Sequence, residues 1–156
     1  MAQDSESNYL DPMAEEIFSL NLLAWRERVA ARRQDEGADL SESQFLAIDT
    51  LVRAPDVLTV GEIQRSIGVL PAQMSRIIRS LEENFEKPLI KCELNQQDKR
   101  KIDVTLTQEG RKVYDEFRAV RLAKTIEILK GLPEKDRMEF VRICRQIRGL
   151  YRAPVS

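Results

Sequence analysis

The sequence has 156 residues, 42% apolar and 33% charged, with a net charge of −1; it fits one domain, with or without helical extensions, and excludes a global basic excess as the basis of nucleic-acid binding. It contains no histidine, which removes His-ligated metals and His-based triads, so the expectation is a non-enzyme with no metal and no cofactor. Two cysteines, no apolar run near the roughly 20 residues of a membrane span, and no basic, apolar start point to the cytoplasm and away from a membrane.

Residues 1–16 hold five acids and no Lys or Arg, so against −1 overall the rest of the chain carries a net +4. Residues 1–12 read as a flexible acidic tail. From 13 to 33 the pattern is helical, with Ile17, Phe18, Leu20, Leu22, Leu23, Trp25 and Val29 covering more than one side. Such a helix needs cover on more than one side, from a second subunit or from its own chain. QDEGADL, at 34–40, breaks it.

Ser41 and Gln44 form a capping-box pattern for a helix to about Arg53, with Leu40 and Phe45 at the staple positions. The signal recurs in LTVGEI, where Thr59 and Glu62 make the box and Leu58 and Ile63 the staple. This third helix ends near Gly68. Pro71 suits the first turn of a fourth. Along PAQMSRIIRSLEEN, Met74, Ile77, Ile78 and Leu81 form an inward stripe. Ala72, Gln73, Ser75, Arg76, Arg79 and Glu83 face outward. After Pro88 the period becomes two: Ile90, Cys92 and Leu94, then Ile102, Val104 and Leu106, alternate with polar residues around a polar tip. That is a β-hairpin with one buried face. Thr107 caps a long helix to about Lys130, and a last helix runs over 133–150.

Two short helices joined by a tight glycine turn and followed by a hairpin make a winged helix-turn-helix. The second helix of the pair has a face suited to a major groove. Ala72 is small, Gln73 can bond bidentately to adenine, and Ser75 can reach a base edge or phosphate. Arg76 can meet guanine or phosphate, and Arg79 the backbone. The alternative is an ordinary solvated helix face. The hairpin favours the first reading. Lys99, Arg100 and Lys101 crowd its tip, where they repel one another unless an anionic partner or water takes them. A tip beside a recognition helix can reach phosphates or a narrow minor groove. Asp98 can shape the tip by bonding turn amides or Arg100.

LTVGEIQRSIGVLPAQMSRIIRSLE followed by DKRKIDVTLTQEG resembles the multiple-antibiotic-resistance regulator (MarR) family of transcription factors. Leu58, Glu62, Ile63, Gly68, Ser75, Arg76, Leu81 and Glu82 carry the resemblance in the helix pair. Asp98, Arg100, Val104, Leu106, Thr107 and Gly110 carry it in the wing. The chain departs from the family at Leu70, where Ser or Thr is usual, and at ENFEKPL, where the family has a short glycine step.

The resemblance implies a mainly α fold with a small β-hairpin wing: a winged helix-turn-helix over 41–106 and helical dimerisation regions over 13–40 and 107–152. It implies a homodimer on double-stranded DNA with a near-palindromic site, acting as a repressor released by a small aromatic ligand or by cysteine oxidation. The rival reading is a winged-helix protein-interaction module. Cys92 and Cys144 fall on apolar faces, where a thiol is commonly a small hydrophobe. Arg142, Arg145, Arg148 and Arg152 line one side of the last helix, as solvated charge at a helix end or as a secondary contact.

Overall fold

A computed structural model describes residues 2–31 and 40–152. Two compact units divide at Ser41 and Glu42. The first is one helix, α1 (Ala2–Ala31). It takes in most of the stretch expected as a flexible tail and passes through Pro12. No side chain between Leu10 and Ala30 is buried; Phe18 and Trp25 are more than half exposed. The expected helix end at Arg33 and the break at 34–39 lie outside the described residues.

In the second unit the order is α2 (Glu42–Arg53), β1 (Leu58–Thr59), α3 (Val60–Ile67), α4 (Pro71–Glu83), β2 (Ile90–Leu94), β3 (Ile102–Leu106), α5 (Gln108–Lys130) and α6 (Glu134–Arg152). The core joins Ala47 and Ile48 of α2 and Ile63 of α3 to Met74, Ile77 and Leu81 of α4, with Leu89, Ile90, Val104 and Tyr114. Burying each large apolar side chain contributes about 1.5–3 kcal/mol. Gln44 Nε2 donates to Ser80 Oγ at 2.8 Å, tying α2 to α4.

The sheet has three antiparallel strands in the order β1-β3-β2, one more than the expected hairpin. Leu58 pairs with Val104 and Thr59 with Asp103. A two-residue strand is too short to show a period, so the sequence displays only its other property, the helix start. That start is as expected: Thr59 Oγ1 accepts from Glu62 N, and Glu62 Oε2 accepts from Thr59 N at 2.8 Å. Gly68 ends α3 at φ 70°, in the left-handed region where a side chain is strained.

ENFEKPL is held at its last residue by backbone hydrogen bonds. Leu89 N donates to Leu81 O at 2.8 Å, and Thr107 N donates to Leu89 O at 3.0 Å. Thr107 Oγ1 donates to Pro88 O at 2.7 Å and accepts from Gly110 N at 3.0 Å. Gly110 makes this possible, because a Cβ there would stand 2.0 Å from Leu89 O. Thr107 and the end of this stretch therefore tie the start of β2 to the end of β3 and the start of α5.

On α2, Phe45 stacks on Tyr114 and packs against Phe117 of α5, with centroids at 5.4 and 4.9 Å. The Arg121 guanidinium lies 4.4 Å from the Phe117 centroid and pairs with Glu42 at 2.9 Å. Along α6 no side chain up to Tyr151 is buried.

Candidate nucleic-acid interface

The inward stripe of α4 holds the helix on the core through Met74, Ile77 and Leu81, with Ile78 half-buried. That packing turns Ala72, Gln73, Ser75, Arg76 and Arg79 out, and all five are exposed. The start of α4 is unusual. Leu70 occupies the N-cap position with extended backbone and has no side-chain oxygen to offer the helix. Gln73 supplies the reciprocal half of a capping box, its Oε1 accepting from Leu70 N at 3.1 Å. Ser75 Oγ donates to Pro71 O at 3.1 Å.

β2 and β3 pair in register from Ile90–Leu106 to Leu94–Ile102. Burial fades along the hairpin. Ile90 and Val104 are fully covered and Cys92 is half-buried, but Leu94 and Ile102 are 58% and 43% exposed. The expected buried face thus ends before the tip, at Leu94 and Ile102.

Beyond that point polar bonds hold the tip. Asn95 Nδ2 donates to the Asp103 carboxylate at 2.9 and 3.1 Å. Asn95 Oδ1 accepts from Gln97 N and Asp98 N, both at 2.9 Å. Asp98 Oδ1 accepts from Arg100 N at 3.1 Å and from Arg100 Nε at 3.2 Å. Lys101 N donates to Asp98 O at 2.9 Å, closing a four-residue turn with aspartate at its favoured first position. Lys99, Arg100 and Lys101 are all exposed, the Arg100 side chain by 92%. Asn95 and Asp103 were missed by sequence reasoning. The available signal was an asparagine ending an alternating run, a residue type whose side chain hydrogen-bonds the backbone a few residues on and so folds turns.

Electrostatics link the wing to α3. The Glu62 carboxyl lies below its usual range because Thr59 hydrogen-bonds it, with Arg65 and Lys101 adding favourable charge. Burial, with a hydrogen bond to the Glu82 carboxylate and its charge, pushes the Cys92 thiol up to about 12. A thiol held protonated is a poor nucleophile, so Cys92 is placed as a packing group between α4 and β2. Cys144 is exposed, as are Arg142, Arg145 and Arg148. Among the described residues no cluster of acids and cysteines could hold a metal ion. None of the described helices is long and apolar enough to cross a membrane.

No protein-family model matches the chain. No curated protein matches it by sequence. Solved structures do match. A Streptococcus pneumoniae FabT structure in complex with DNA superposes with a TM-score of 0.69 at 21% identity, covering 90% of this chain and 93% of that one. A mutant of S. aureus MepR gives 0.68 at 19% identity, over 85% and 96%. Bordetella bronchiseptica BpsR, described for regulation of its DNA binding by 6-hydroxynicotinic acid, gives 0.59 at 22% identity, over 85% and 98%. The chain therefore has the winged-helix fold of MarR-type regulators, the fold its sequence resemblance implies.

Proposed function

We propose that the chain is a sequence-specific, duplex-DNA-binding transcriptional regulator, acting as a homodimeric repressor in the cytoplasm on a near-palindromic operator. The observation that carries this reading is the wing tip. Three adjacent cations stand in water on a turn braced by Asp98 and Asn95, directly after a helix pair whose second helix exposes a polar and basic face. Holding like charges together costs energy that a run of DNA phosphates recovers. The DNA-bound FabT structure supports the same reading by likeness of fold. Likeness to BpsR supports release by a small aromatic ligand.

The α4 face enters the major groove in this reading, with Ala72, Gln73, Ser75 and Arg76 towards base edges and Arg79 towards the backbone. Lys99, Arg100 and Lys101 neutralise phosphates. Fluorescence anisotropy against duplex DNA over a salt series tests it. Log affinity should fall with log salt by about 0.9 per phosphate contact. Arg100→Ala should weaken binding to every sequence and flatten that slope by about one contact. Salt-insensitive binding, or no duplex binding at low salt, overturns the proposal. The exposed apolar side chains of α6, Met138 and Leu150 among them, would then favour a protein-interaction module.

A further inference from the structure

The start of α4 decides how one side chain can read a base. Leu70 cannot cap the helix, and Pro71 at the first helical position has no N–H. The Leu70 N–H is met by Gln73 Oε1 at 3.1 Å. A backbone N–H only donates, so the oxygen of the carboxamide must face it, and the NH2 group is the end left outward. Gln73 is itself exposed, and Leu70 beside it is 68% exposed, so both lie on the helix's outward surface.

Bidentate recognition of adenine needs both ends of the amide: the oxygen accepting from N6 and the nitrogen donating to N7. Here the oxygen belongs to the helix start. Resting on the DNA-binding reading above, we infer that Gln73 is a donor-only specificity residue, which selects a keto-bearing base through its Nε2. Guanine offers O6 and N7 to such a donor, and thymine offers O4. Cytosine presents only a donor at that edge and is rejected. Adenine loses its pairing with the carboxamide oxygen and is disfavoured. The backbone N–H of position 70 thereby sets the code at position 73.

The test is selection of binding sites from a random duplex pool with the full chain, comparing wild type with Gln73→Glu. In the glutamate variant one oxygen still accepts from Leu70 N–H, and the outward atom changes from donor to acceptor. Wild type should enrich guanine or thymine at one position of each half-site. The variant should switch that position to cytosine or adenine and keep the other selected positions. Exchanging the base in an isolated site should cost wild type about tenfold in affinity. Adenine enriched at the position that depends on residue 73 overturns the inference, as does a selected site that is unchanged in Gln73→Glu. A wild-type protein that enriches no duplex removes the DNA-binding reading itself, which is a separate and recognisable result.

Discussion

Asp49 of α2 receives hydrogen bonds from two elements. Tyr114 Oη donates to its Oδ1 at 2.7 Å from α5, and Arg53 Nε lies 2.7 Å from its Oδ2 one turn along α2. Burial alone would raise its pKa. The bonds from Arg53 and Tyr114, with the charges of Arg53 and Arg118, outweigh burial and hold the carboxyl below its usual range. Tyr114 moves up, through burial and its bond to Asp49. A depressed carboxylate stabilises the fold above the unfolded-state pKa, and the contribution disappears as pH falls through the folded-state value. Asp49→Asn should therefore cost about 1 kcal/mol at pH 7. The gap between wild type and variant should narrow from about pH 5 downward, where the wild-type group also becomes neutral. Urea unfolding of both proteins across that range checks it. A gap that stays constant with pH would mean the ionised carboxylate contributes nothing. Other depressed acids, such as Glu62 and Glu139, titrate equally in both proteins and cancel in the difference.

At the scale of the element, the wing behaves as a short polar structure attached to an apolar one. Up to Cys92 and Val104 the core holds it; beyond, Asn95 does, with four hydrogen bonds from one side chain. Asn95→Ala should loosen the tip while leaving every cation in place. Amide exchange at Gln97 and Asp98 should speed up markedly, and duplex affinity should fall severalfold as three cations lose a fixed arrangement. The salt slope should change little, because the number of cations is unchanged. An unaltered exchange rate at those amides would show that Asp98 alone organises the turn. This element also shows what a sequence displays and what it hides. The alternation of Ile90, Cys92, Ile102 and Val104 is local, and it announces the hairpin. The Thr59–Glu62 box announces α3 for the same reason, since both partners lie within one turn. The pairing of Thr59 with Asp103 joins residues far apart in the chain, and no local period records it. The fading of burial at Leu94 and Ile102 is likewise invisible, because burial depends on what packs against the ribbon in three dimensions and not on its local period. Among the candidate contact residues, the outward set on α4 follows from the Met74–Ile77–Leu81 stripe. The engagement of Gln73 with Leu70 requires coordinates, although Leu at a cap position already says that the helix start lacks a side-chain acceptor.

At the scale of the molecule, the distribution of apolar surface points beyond a single chain. α1 and α6 contain no buried side chain among those described, yet they carry Phe18, Trp25, Met138, Ile147, Leu150 and Tyr151. Soluble monomers seldom leave apolar surface on this scale in water. A helix apolar on several sides is stable when several partners cover it. In the proposed homodimer a second copy covers these faces, and dimerisation also sets the function. Two recognition helices on one rigid body bind the second half-site at a high effective concentration, which raises affinity by about 10²–10⁴ over one winged helix alone. Ile147→Glu combined with Leu150→Glu tests this without disturbing the core, since neither side chain is buried in the chain. Sedimentation equilibrium should find wild type dimeric at micromolar concentration and the double variant monomeric. Affinity for a two-half-site operator should drop by about a hundredfold or more, while affinity for a single half-site stays close to that of wild type. A wild-type chain that sediments as a monomer at tens of micromolar would remove the dimer. The apolar faces of α1 and α6 would then need cover from their own chain or from a different protein.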